Sequence, residues 1–152
     1  MATSTVTHLV QVATDQVRIS VARERVKRIV ASVLRAERVR DAQVSVTFVT
    51  NRRMAALNRR HLGHAGATDV ISFGFAPVTA GAPVTGDIYI APAVARRNAV
   101  AHAAGIREEL LRLVVHGTLH VLGHEHPTDD GRTTSPMWRR QERLLHRALR
   151  SA

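Results

Sequence analysis

Cysteine is absent from the 152 residues. That removes disulfides, thiolate metal ligation and cysteine nucleophiles, and leaves nitrogen and oxygen as ligands for any metal. Aromatics are scarce, with three Phe, one Tyr and one Trp, so a core drawn from a chain that is 45% hydrophobic has to be aliphatic. No apolar run is long enough to cross a bilayer, and the opening MATSTVTHLVQVATDQ has no basic stretch followed by an unbroken hydrophobic one. A cytoplasmic protein without membrane attachment is expected. Acid is also in short supply, since 12 Asp plus Glu stand against 22 Lys plus Arg, a formal net charge of +10. Such an excess favours polyanionic partners through phosphate contacts and counterion release, nucleic acid first. All of these bases except Lys27 are arginine, in an Ala-rich chain, and that pattern also arises on merely solvated faces.

The length suits one domain, residues 1–152, and no repeat, low-complexity tract or linker divides it. His8 to Ala13 alternates loosely enough for a first strand. Ser20 to Arg38 places Val21, Val26, Ile29, Val30 and Val33 at helical spacing. Gln43 to Thr50 puts Val44, Val46 and Phe48 on one side, as a half-buried strand requires. Asn51 is expected to cap a helix through about His61 that Gly63 ends, with Met54, Ala55 and Leu57 inward. Thr68 to Phe75 and Asp87 to Ala91, the latter entered through Gly86, read as an antiparallel pair joined by a Pro- and Gly-rich loop. Three further helices are expected: one from Pro92 toward Ala104 stopped by Gly105, one from Ile106 to Leu122, and one from Pro136 to Leu149. Strands and helices mix without strict alternation. The fold class is therefore α+β, a small mixed sheet of about four strands packed by about five helices.

Four of the nine histidines fall within HGTLHVLGHEH, residues 116–126. His116 and His120 are four apart on a helix, which brings their Cβ atoms about 5–6 Å apart on one face. Both imidazoles can then reach one ion at about 2.0–2.1 Å. Gly123 lets the chain turn back and deliver His126 as a third nitrogen. Three protein ligands leave one tetrahedral position for a water whose pKa zinc brings to roughly 7, the pattern of a hydrolytic site with one Zn²⁺. His124 is the nearby residue that would close the site as a fourth ligand. His8, His61, His64, His102 and His146 are isolated and read as surface or packing residues. The spacing is that of metzincin proteases, but those carry glutamate directly after the first histidine as general base, and here that residue is Gly117. Peptidase chemistry by that route is therefore not expected. Glu125, beside the third ligand, is the remaining candidate catalytic group.

The segment HGTLHVLGHEHPTDD, with TDVISF and GDIYI upstream, resembles the YbeY family of ribosomal RNA maturation factors over roughly residues 40 to 150. Its metal histidines fall on His116, His120 and His126, and Thr68, Ser72 and the Gly86-Asp87 pair also match. The resemblance implies a zinc-bound, single-strand-specific endoribonuclease acting in small-subunit (16S) rRNA 3′-end maturation and ribosome quality control, with ribosomal RNA and the small subunit as partners. Two departures stand out. The Tyr-Arg pair that many members carry six residues before the Thr is His61-Leu62 here, so the usual arginine is missing, and Arg59 or Arg60 is the candidate to bind substrate in its place. His124 stands where tyrosine is common. Ser72 is a further candidate for substrate contact. Alternatives of other classes are a zinc-containing ribosome assembly factor with little catalysis of its own, and a metalloprotease-like hydrolase.

Overall fold

The computed structural model describes residues 5–75, 77, 79–128 and 130–151. Four strands, β1 (Thr7–Thr14), β2 (Asp41–Phe48), β3 (Val70–Phe75) and β4 (Val84–Ile90), form one sheet in the order β1-β2-β4-β3. β1 and β2 are parallel, as are β2 and β4, while β3 lies antiparallel to β4 at the edge. The helices are α1 (Arg23–Ala36), α2 (Asn51–Leu62), α3 (Pro92–Ala101), α4 (Ile106–Val121) and α5 (Pro136–Arg150), with a tight helical turn at Asp130–Thr134 before α5. The mixed sheet of four strands with five helices is the α+β architecture that the periodicities predict. None of the helices among the described residues is long and apolar enough to cross a membrane.

Period-two burial of Val44, Val46 and Phe48 on β2 gives the sheet an apolar face. Val26, Val30 and Leu34 of α1, Leu110, Val114 and Leu119 of α4, and Leu145 of α5 close over it. Met54 and Leu57 of α2, Ile71 of β3 and Val94 of α3 form a smaller cluster. Along β3, Ile71 joins that second cluster while Ser72 lies beneath α4, so the two clusters sit on opposite sides of the sheet.

One strip of sheet is bare. Gly74 and Gly86 are register partners across β3 and β4. A Cβ on Gly74 would lie 2.5 Å from the Val121 carbonyl oxygen, and one on Gly86 would run into the Val121 side chain. Glycine is needed there because the last turn of α4 rests directly on the strands.

Some boundaries differ from the sequence reading. Thr50, not Asn51, caps α2: its backbone is extended and its Oγ1 accepts the Arg53 N–H at 3.1 Å, making Asn51 the first helical residue. Gly63 ends that helix in the left-handed conformation, φ 69°. Gly105 does not end α3. Ala103 takes positive φ at 52° two residues earlier, and Gly105 opens α4 with extended backbone. Gly86 lies inside β4 rather than before it, because its role is the close approach of α4. Ala76 and Val78 in the loop between β3 and β4, and Asp129 in the histidine-containing segment, lie outside the described residues.

Candidate metal centre

Glu108 and Glu109 in the first turn of α4 complement the helix dipole, and an almost wholly buried run from Leu110 to Leu119 seats the helix in the core. His116 and His120 therefore project from a rigid element. His116 is buried and His120 half-buried. α4 ends at Val121, and Gly123 at φ 97° turns the chain so that the His124 N–H donates back to the Leu119 carbonyl at 3.0 Å. The reversal brings His126 over the helix end. Ring centroids of the three histidines are 4.5, 5.0 and 4.9 Å apart, and one nitrogen from each lies within 4.8 Å of the other two.

Each ring is oriented through its other nitrogen. His116 Nδ1 donates to Gln141 Oε1 at 2.6 Å, His120 Nδ1 to the His124 carbonyl at 2.8 Å, and His126 Nδ1 to the Pro127 carbonyl at 2.8 Å. All three partners are oxygens that only accept, so each Nδ1 carries the proton and each Nε2 keeps a free lone pair. This is the tautomer that an Nε2 metal ligand needs. Burial, together with the neighbouring histidines and Arg132, outweighs the Gln141 bond and pushes His116 down to about 3. Burial lowers His120 as well. Both rings are neutral at neutral pH, so nitrogen lone pairs face one another across a space suited to a cation. The donor set fits zinc, and the residues that would hold it are His116, His120 and His126.

Behind His116 runs a chain of fixed polarity. Gln141 is 1% exposed, and its Nε2 donates to Glu142 Oε2 at 3.0 Å, which sets the amide with its oxygen toward the histidine. Arg112 of α4 forks onto Glu142 at 3.0 Å through Nε and Nη2, and reaches Glu109 at 3.2 Å. Burial alone would raise the Glu142 carboxyl, but its bonds to Arg112 and Gln141 prevail and hold it low. It therefore stays ionised and keeps Gln141 aligned. Gln141→Leu retains volume but leaves His116 Nδ1 without an acceptor. Zinc affinity, measured by competition with a chromophoric chelator, is expected to fall about 10–100-fold. A change below about threefold would show that Gln141 does not orient the ligand.

His124 does not join the cluster. Its Nε2 points to Glu37 Oε1 at 2.6 Å, outside hydrogen-bond geometry, and Glu37 Oε2 accepts from Arg140 at 3.3 Å. Among the described residues, the groups close enough to share an ion are the three histidines alone. Gly117 packs against the sheet, where a Cβ would lie 2.7 Å from Ile88 Cγ2 and 3.1 Å from Ser72 Oγ. The position that holds a glutamate in metzincins is therefore occupied here by a strand.

The other candidates are more dispersed. Glu125 is exposed, and its charge acts on His120. Ser72 Oγ is buried under Gly117 with no partner. Arg59 and Arg60 are exposed in the last turn of α2, beside His61, which packs edge-on to Phe73 of β3 at 5.1 Å. They are brought to the β3 edge rather than into the histidine cluster. The guanidinium whose charge bears on both His116 and His120 is that of Arg132, and its Nε is buried without a partner. Neither Arg132 nor Gln141 stands out in the sequence reading. Gln141 had a usable signal, as a polar residue within the apolar stripe of Met137, Leu144 and Leu145. Arg132 had none among so many arginines.

Residues 10–149 match the family model described as Endoribonuclease YbeY. The chain is 39% identical over 134 residues to Endoribonuclease YbeY of Geobacillus kaustophilus, covering 82% of this chain and 85% of that protein. It is 38% identical over 128 residues to the protein of that name from Thermus thermophilus, covering 80% and 87%. The solution structure of TM1509 from Thermotoga maritima shares the fold, with a TM-score of 0.60, 22% identity, and 92% and 89% of the two chains covered.

Proposed function

The chain belongs to the YbeY endoribonuclease family, and from that premise we propose that it cleaves single-stranded RNA at a centre of one zinc ion held by His116, His120 and His126. The setting proposed is small-subunit (16S) rRNA 3′-end maturation and ribosome quality control in the cytoplasm, with the small ribosomal subunit as partner. The observation that carries this reading is the convergence of three imidazoles whose Nδ1 protons are each committed to an oxygen.

Zinc, when bound, supplies a Lewis acid that polarises a phosphoryl oxygen and makes a coordinated water more acidic. The chain's own residues do the rest. Gln141 and the carbonyls of His124 and Pro127 hold the three rings in the ligating tautomer. Arg132 presents fixed positive charge beside His116 and His120, where a phosphodiester would be drawn in and its developing charge offset. Arg59 and Arg60 bind backbone phosphates at the β3 edge, which the last turn of α2 reaches through the packing of His61 on Phe73. Ser72 supports the floor of the site beneath Gly117. Glu125, exposed beside His126, is the candidate to orient the attacking water.

Purified protein incubated with a labelled single-stranded RNA is expected to lose at least about a hundredfold in cleavage rate on chelation and to recover it with added zinc, since metal assistance contributes several kcal/mol to such transition states. Cleavage that is indifferent to chelation would sink the reading. The packing of Gly117 against Ile88 leaves no glutamate in the metzincin position and favours one second reading, a zinc-containing ribosome assembly factor with little catalysis. Zinc-loaded protein that binds the small subunit but leaves RNA intact would establish it.

A further inference from the structure

A groove of about 750 Å³ lies between α1 and α5, outside the histidine cluster. Arg25, Arg28 and Arg35 line it from α1, Arg147 lines it from α5, and Ile29 and Leu144 lie in its floor. Spacings of three and seven residues place the three α1 arginines in one stripe along the helix, and ten residues of helix extend that stripe over about 15 Å. Among the described residues no acidic side chain lines the groove, and none of these four arginines makes an ion pair. Arg112 alone takes Glu108, Glu109 and Glu142, and Arg140 takes Glu37.

The groove leads toward the metal centre. Ala36, at its α1 end, is bonded through its carbonyl to Arg140 at 3.3 Å, and the next residue, Glu37, accepts from Arg140 and lies against His124. His124 sits between two of the proposed ligands, and its carbonyl holds His120. A chain that leaves the groove at Ala36 is therefore close to His124, which lies in the loop that carries His126.

We propose that this groove is a second binding site, a track that holds the sugar-phosphate backbone of the single-stranded RNA flanking the point of cleavage. Guanidinium groups pair with phosphate oxygens in a planar, two-point fashion, and the aliphatic floor accommodates riboses or unstacked bases. An acidic peptide would also match the charge, but the Ala36 end of the groove lies one residue from Glu37, which His124 contacts, and that nearness to the histidine loop favours a strand that must reach the histidines. The assignment rests on the reading of the site as a ribonuclease, yet its test is one of binding and does not require cleavage.

The experiment uses the zinc-loaded protein and a fluorescein-labelled 20-nucleotide 2′-O-methyl polyuridine, which resists cleavage, with affinity followed by anisotropy at several salt concentrations. The triple variant Arg25→Ala/Arg28→Ala/Arg147→Ala is expected to bind at least about tenfold more weakly. Its log K against log salt slope should be shallower by about 2, three contacts at roughly 0.7 each for a single strand. All three residues reach solvent, so its melting temperature should stay within a few degrees of the parent. A 4-thiouridine strand should crosslink to α1 or α5 in the parent protein. Unchanged affinity and slope, or crosslinks confined to the histidine loop, would overturn the proposal. So would a labelled polyglutamate of the same length that binds as tightly as the RNA and loses as much in the triple variant. Failure of cleavage with the track intact would count against the ribonuclease reading alone.

Discussion

His120→Ala is expected to empty the centre of zinc and reduce RNA cleavage by about a thousandfold while leaving the fold in place. The reduction corresponds to about 4 kcal/mol of transition-state stabilisation, the order that a metal's charge contributes. His120 is half-buried, and the acceptor it leaves behind, the His124 carbonyl, can turn to water. His116→Ala should lose cleavage to the same extent but cost stability too, because it opens a cavity in the core and strands the Gln141 amide oxygen, which has no route to solvent. The added destabilisation is expected to be about 2–4 kcal/mol. Metal content by mass spectrometry of the native protein, cleavage rate and thermal melting separate the two variants. If His120→Ala retains both zinc and activity, the three-histidine centre is wrong. If the two variants melt alike, the role given to Gln141 is wrong.

Gly117→Glu, which would restore a metzincin-like sequence, is expected to abolish folding rather than to create a peptidase. The new Cβ would meet Ile88 Cγ2 at 2.7 Å, and the carboxylate would be forced into an apolar seam beside Ser72 with no cation to receive it. An unpaired buried charge together with overpacking exceeds about 4 kcal/mol, a large part of the roughly 5–15 kcal/mol that holds a domain together. Gly117→Ala isolates the steric part. Overpacking of about 1–3 kcal/mol is offset by about 1 kcal/mol of helix propensity, and each net kcal/mol lowers the melting temperature by roughly 2–4 °C. Calorimetry of the alanine variant and solubility of the glutamate variant check both statements. A soluble glutamate variant with parental melting would show that α4 does not need glycine against the sheet.

Much of this architecture could be read from the chain before any coordinates. Val44, Val46 and Phe48 announced a half-buried strand because period two is hard to mimic, and Val26, Ile29, Val30 and Val33 announced α1 for the corresponding reason at 3.6. The triad was legible because a spacing of four followed by a glycine leaves little freedom in where two rings and a returning loop can go. What escaped was set by contacts between distant segments. Gly86 was read as the residue before a strand, whereas its position is dictated by Val121, which lies on another element. Gly105 looked like a stop for α3 because Ala103 was not expected to adopt positive φ. Gln141 orients a histidine 25 residues away, and only the side-by-side packing of α4 and α5 makes that visible.

The line from Arg112 through Glu142 and Gln141 to His116 joins two helices through one of the three residues proposed to hold the ion. Any cation taken up at the histidines is thereby tied to the docking of α5 on α4, so occupancy and compactness become linked variables. In a cell where zinc is scarce, the same contacts would report that scarcity as a looser seam between those helices, and the protein's lifetime would follow its metal supply.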